Sequence, residues 1–97
     1  MKIHGGVEPR SIVSRNDRLT AQPLDDEIVM ANLETGDYYG LESCGKRIWE
    51  ILVQPTSVAN LCAQLTKEYS VDPTQCEQDV YAFVDELHRE GLVHLTI

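Results

Sequence analysis

Apolar positions along the chain follow two different periods. Glu27–Leu33 (EIVMANL) and Asp37–Leu41 (DYYGL) are short runs rich in β-branched, aromatic and apolar residues, the composition of strands. Between them Glu34-Thr35-Gly36 carries the glycine that a tight loop needs for positive φ, so the two strands are predicted to be antiparallel neighbours. Ser11–Arg15 (SIVSR) reads as a shorter strand. Asp17–Asp26 is polar and interrupted by Pro23, and reads as a loop. Residues 1–10, with Gly5, Gly6 and Pro9, lack periodicity and read as a flexible N-terminal arm ahead of one domain over residues 11–97.

From Ser43 the spacing changes to that of helices. Ser43 is a candidate N-cap for a helix with Cys44, Ile48, Ile51 and Leu52 on its apolar side, and Pro55 stops it. Thr56-Ser57 offers the next cap, followed by Val58, Leu61, Cys62, Leu65 and Tyr69 along one face. Asp72-Pro73-Thr74-Gln75 combines a cap acid, a proline suited to the first helical position and a glutamine placed to close a capping box. The helix so started gathers Cys76, Val80, Phe83, Val84 and Leu87 on one side and ends at Gly91. The tail Leu92–Ile97 either packs back or extends as a strand. The predicted fold is α+β and winged helix-turn-helix-like, with a three-stranded antiparallel sheet followed by three helices.

A winged helix raises the question of DNA, and charge answers it. The 97 residues carry 16 acids against 8 Lys+Arg, a net charge of −8. Between Asp72 and Glu90, where a recognition helix would lie, the acids are Asp72, Glu77, Asp79, Asp85, Glu86 and Glu90, against Arg89 alone. That helix repels phosphates, and the fold is expected to serve another purpose. Catalysis finds little material. His4, His88 and His94 are the only histidines, nothing sets a base beside a thiol, and Cys44, Cys62 and Cys76 match no metal or disulfide spacing and are expected to be reduced. No metal or cofactor is therefore expected. The first ten residues contain no signal-length apolar run and no stretch is long enough to span a membrane, so a cytoplasmic location is expected. Trp49 reads as core or packing. Tyr38 and Tyr39 fall on opposite faces of their strand, one to be buried and one partly exposed. Because Asp37–Leu41 ends the ribbon, one of its edges should be free, and a short free edge beside an amphipathic helix is a receptor for an extended peptide.

Four motifs, in this order, carry a family resemblance. Leu33-Glu-Thr-Gly-Asp-Tyr-Tyr-Gly-Leu41, Gly45-Lys-Arg-Ile-Trp-Glu-Ile-Leu52, Glu68-Tyr-Ser-Val-Asp-Pro73 and Val84-Asp-Glu-Leu-His-Arg-Glu-Gly-Leu92 together resemble the pyrroloquinoline quinone biosynthesis protein D family, most of all its stand-alone members in lasso peptide biosynthesis. The resemblance implies a non-catalytic recognition element for ribosomally made, modified peptides. It would bind the leader of a precursor peptide as an added strand between the third strand and third helix, for a partner leader peptidase of transglutaminase type and a cyclase. On this chain it points to Asp37, Tyr38, Tyr39, Gly40 and Leu41 for the backbone ladder, and to Cys76, Asp79, Val80, Phe83 and Leu87 for the cleft wall. Two other readings remain at this point: a peptide chaperone of the same family serving a radical SAM enzyme, as in quinone cofactor assembly, and a winged-helix regulator without a leader.

Overall fold

The computed structural model describes residues 7–96. Its elements in chain order are β1 (Ile12–Arg15), β2 (Leu19–Leu24), β3 (Glu27–Asn32), β4 (Asp37–Glu42), α1 (Ser43–Ile51), β5 (Thr56–Ser57), α2 (Val58–Tyr69), α3 (Pro73–Arg89) and β6 (Val93–Thr96). They form two antiparallel three-stranded sheets, β2-β3-β4 and β5-β1-β6, with the three helices packed against them. The α+β class and the three helices are as expected. The sheet composition differs.

Asp17–Asp26, predicted as a loop, contains β2, joined to β3 by a two-residue turn in which Asp25 takes φ +53°. The strand was hidden because nearly all of it faces water: Leu19 alone is half-buried, so no apolar alternation marks it. β2 takes the place expected for Ser11–Arg15, whose strand β1 instead joins the chain's two ends by pairing with both β5 and β6. The tail thus extends as a strand. β4, expected to be the third strand, is the fourth along the chain and lies at one edge of its sheet, opposite β2.

The other difference at the N-terminus is where packing begins. Val7 is fully buried, the Pro9 carbonyl accepts from Ala59 N–H at 2.8 Å and Ser11 Oγ accepts from Glu8 N–H at 2.9 Å, so residues 7–10 belong to the folded body. The rest of the predicted arm, residues 1–6 including His4, lies outside the described residues.

Helix ends follow local chemistry in two cases out of three. Ser57 Oγ accepts from Asn60 N–H at 3.1 Å, and Asp72 Oδ2 from Gln75 N–H at 3.0 Å, with Pro73 in the first turn. The capping box at Asp72 closes on one side only, because Gln75 turns its amide forward to Asp79 at 2.9 Å. At its other end α3 finishes with Gly91 at φ +78°. Leu92 N–H reaches back to the Leu87 carbonyl at 2.9 Å and Gly91 N–H to His88 at 3.0 Å, the paired bonds of a Schellman ending. Ser43 is the correction. Glu42 occupies the cap position of α1 without a side-chain bond, and Ser43 itself sits at φ +54°. The chain passes from β4 into α1 with no linker, and the abrupt change of direction falls on Ser43.

One core joins these elements. Met30 and Ile28 from β3, Leu41 from β4, Ile48, Trp49 and Leu52 at α1, Leu61 and Leu65 from α2 and Val80, Val84 and Leu87 from α3 are all buried in it. No described helix is long and apolar enough to cross a membrane.

Candidate functional site

The hairpin between β3 and β4 determines which backbone groups of β4 point outward. Gly36, at φ +80°, donates its N–H to the Asn32 carbonyl at 2.7 Å, so the Asn32 carbonyl faces β4. In an antiparallel ladder bonded and non-bonded pairs alternate. With Asn32 opposite Asp37, the bonded pairs are therefore Asn32–Asp37, Met30–Tyr39 and Ile28–Leu41, and the N–H and C=O groups of Tyr38, Gly40 and Glu42 project from the free edge. β2 supplies an independent check. The same alternation makes Pro23–Ile28 a non-bonded pair, which is the position a residue without an N–H requires. Among the described residues no partner takes the outward groups of Tyr38 or Gly40.

Side chains of β4 alternate in the other sense. Tyr39 and Leu41 face α3, Leu41 within the core and Tyr39 half-buried, whereas Tyr38 is 76% exposed. The expected division of the two tyrosines is thus realised in part, with Tyr39 only half covered. The Tyr39 hydroxyl lies 3.4 Å from Glu90 Oε1 and 3.5 Å from Asp37 Oδ2. Partial burial, reinforced by these two carboxylates, raises its pKa above the ordinary phenol value, so it remains a donor at neutral pH.

Between β4 and α3 runs a cleft of ≈ 310 Å³. Tyr38, Tyr39, Gly40 and Leu41 line one bank, Phe83, Glu86, Leu87 and Glu90 the other, and Leu92 the floor. A second cavity of ≈ 400 Å³ opens where α1, α2 and α3 meet, with Cys44, Gly45, Ile48, Leu65 and Val80 among its apolar walls and Tyr69 and Val71 exposed at its mouth. Phe83 belongs to both and forms the partition. Gly45 makes that possible: a Cβ there would come within 3.1 Å of the Phe83 ring, so only glycine lets the ring rest against α1 undisturbed. The helical bank is held together by Arg47 of α1, whose guanidinium makes two 2.8 Å bonds to Glu68 of α2. Those bonds, with one from Gln64, pull the Glu68 carboxyl down to about 2.

The expected wall residues divide between the two spaces. Phe83 and Leu87 line the cleft beside β4, while Cys76, Asp79 and Val80 lie one to two turns nearer the start of α3 and line the second cavity. Sequence reasoning did not assign Glu86, Glu90 or Leu92 to the cleft. The signal was present, since residues 83, 86, 87 and 90 recur at helical spacing, but acids on a helix read equally as a solvated face or as an attraction for a basic partner, and neither reading assigns them to a cleft wall. Burial raises the pKa of Cys62 to about 11 and also lifts that of Cys44, so both thiols are protonated near neutrality and are poor nucleophiles.

Residues 27–93 match the family model described as coenzyme PQQ synthesis protein D. The chain belongs to this family. Two solved structures are similar to it. One, TbiB1 in complex with the TbiA(beta) leader peptide, is 32% identical with a TM-score of 0.78, the match covering 84% of this chain and 94% of that one. The other, lasso peptide synthetase B1 complexed with the leader peptide, is 26% identical with a TM-score of 0.75, over 84% of this chain and 96% of that one. No curated protein matches the sequence. Both of these similar structures hold a leader peptide, and this chain shares their fold.

Proposed function

We propose that this protein binds the leader of a ribosomally made precursor, a lasso peptide precursor, by adding it as a strand to β4, and presents it to a leader peptidase and cyclase without taking part in the chemistry. The observation that carries the reading is the open edge of β4. Tyr38 and Gly40 direct about four unpartnered main-chain groups toward the side where a cleft and an apolar cavity wait on α3. Each such bond contributes roughly 0.5–1.5 kcal/mol net. A disordered leader loses conformational freedom on docking, so side-chain anchors are needed as well. Phe83 and Leu87 provide apolar surface directly beside the strand, and the cavity lined by Cys76 and Val80 takes a larger anchor beyond it. Asp37, Asp79, Glu86 and Glu90 surround the site with negative charge, which suits a leader carrying Lys or Arg. Work in the cytoplasm, where precursor peptides are made, fits this role.

The family match favours one other assignment of the same edge, a peptide chaperone for a radical SAM enzyme. The enzyme genes beside this one separate the two. The deciding experiment is a titration of ¹⁵N-labelled protein with a synthetic leader peptide of a lasso precursor. Amides of residues 38–41 and 83–90 are expected to shift, with a dissociation constant on the order of micromolar or tighter. No binding at about 100 μM would sink the proposal.

A further inference from the structure

On the far side of the same sheet, at the edge formed by β2, a third cavity of ≈ 360 Å³ is lined by an arginine that makes no ion pair among the described residues. It is bounded by Arg15, Ala21, Trp49, Leu52, Val53 and Pro55 among others. Arg15 extends from β1 over the Trp49 ring, with its guanidinium carbon 4.7 Å from the ring centroid, and Nε and Nη2 both donate to the Trp49 carbonyl. That carbonyl is in the last turn of α1, where it has no helical partner, and α1 has no basic residue of its own there. Capping α1 accounts for two of the five guanidinium donors.

The remaining donors stand out against the rest of the chain. Arg10 pairs with Glu8, Arg18 with Glu34, Arg47 with Glu50 and Glu68, and Arg89 with Asp85. Among the described residues Arg15 is the arginine without a carboxylate within ion-pair distance, in a protein whose acids outnumber its Lys+Arg by 16 to 8. Glu50 influences it only from a distance, and Asp17, also on the cavity lining, is not paired with it. Beside this charge lie Leu52, Pro55 and Val53, the last 67% exposed. A partly desolvated guanidinium that holds no carboxylate at contact distance, flanked by apolar surface, is complementary to a carboxylate carried next to an apolar side chain.

We infer that the Arg15–Trp49 cavity is a docking site for a second protein, which inserts an Asp or Glu side chain together with a neighbouring aliphatic residue. The site lies at the edge opposite β4, so it and the leader edge can be occupied together. It does not depend on whether β4 binds a leader.

The probe is the capped tripeptide acetyl-Leu-Asp-Val-amide, compared with its Asn counterpart, titrated into the full-length protein while the Trp49 indole N–H and the Val53 amide are followed by NMR. The Asp peptide is expected to saturate with a dissociation constant of roughly 1–10 mM, and the Asn peptide to bind at least about fivefold more weakly. Val53→Asp, on an exposed position that leaves the core intact, should abolish the response. Arg15→Lys keeps the charge but loses the planar fork, and should weaken it about threefold. Equal response to the Asp and Asn peptides, no response at about 20 mM, or a response that survives Val53→Asp overturns the proposal. Displacement of the probe by a leader peptide would assign the cavity to the leader and overturn the second-protein occupant.

Discussion

The two edges of the β2-β3-β4 sheet differ in what they offer another chain. On β2 the outward residues are Leu19, Ala21 and Pro23; Leu19 N–H is directed to the Asn16 carbonyl at 3.4 Å and Pro23 has no N–H, which leaves Ala21 as the outward donor. On β4 the outward residues are Tyr38, Gly40 and Glu42, none of them proline, and a helix stands beside them with a cleft between. An exposed sheet edge invites unwanted pairing, and a proline on it is a common remedy. Here the remedy is applied to one edge and withheld from the other, which makes the open edge of β4 a feature with a use.

The largest expected effect comes from giving β4 the character of β2. Gly40→Pro removes an outward donor without touching the ladder to β3, and should weaken leader binding by about tenfold to a hundredfold in calorimetry. Ala21→Pro does the same to the other edge and should leave leader affinity unchanged. Equal loss in both variants would mean that the leader does not choose between the edges. Tyr39→Pro is a poor substitute, because the Tyr39 N–H belongs to the ladder with Met30 and its loss damages the sheet itself.

Next in size is the partition between cleft and cavity. Phe83→Ala fuses the two spaces and removes the apolar surface nearest the strand edge, so leader affinity should fall about tenfold, with a stability loss of roughly 1–3 kcal/mol because the ring is only half-buried. Gly45→Ala tests the same wall without deleting it. A displaced Phe83 ring should appear as shifted aromatic resonances and an affinity loss of a few-fold.

Much of this was legible in the chain and some was not, for physical reasons. The helices were legible because apolar spacing, caps and Gly91 all agree over residues 56–92, and β3–β4 because of its turn glycine. β2 was not, since a strand exposed everywhere but at Leu19 leaves no alternation to read. Ser43 misled because a serine before a helix usually caps it, whereas here β4 runs directly into α1 and Ser43 takes a positive φ at the junction. The free edge could be inferred from the order of strands. Which of its amides point outward could not, because that depends on one hydrogen bond, from Gly36 to Asn32. Similarly, α3 was recognisable as a wall, but its division between two cavities arises from where α1 and β4 cross it.

A feature that separates the two sides of the sheet is the brace behind β4, between α1 and α2. Glu68 has its folded pKa drawn down to about 2 from an ordinary 4.5 by Arg47. A depressed carboxyl contributes stability that is present above its unfolded pKa and lost as pH falls toward the folded one. Acid unfolding followed by circular dichroism should therefore show part of the loss between about pH 4.5 and 2, and Glu68→Gln should remove that part while leaving stability near pH 2 close to the parent's. Leader affinity at pH 7 should weaken slightly in this variant, because the cavity wall loses its brace, while anything docking at the β2 edge should be unaffected.

The smallest effect concerns the rate at which the open edge is found. Glu86 and Glu90 line the cleft, where a basic leader would approach, and the β2 edge has no comparable helix of acids beside it. Charges at the rim of a site mainly alter association, and the effect decays over a Debye length of about 8–10 Å at ordinary salt. Glu86→Lys is the cleaner variant, because Glu90 also lies within reach of the Tyr39 hydroxyl and its replacement would alter the pocket as well as the field. In stopped-flow measurements at low ionic strength, Glu86→Lys should slow association of a Lys- or Arg-bearing leader by about two- to fivefold, leave dissociation nearly unchanged, and lose its effect when salt is raised. Asp79→Lys, farther along α3 at the second cavity, should slow association less if the leader meets the strand edge first, and as much or more if the cavity captures the anchor before the strand forms. An association rate insensitive to both substitutions at low salt would remove charge from the account of how this edge is chosen and leave backbone geometry as its basis.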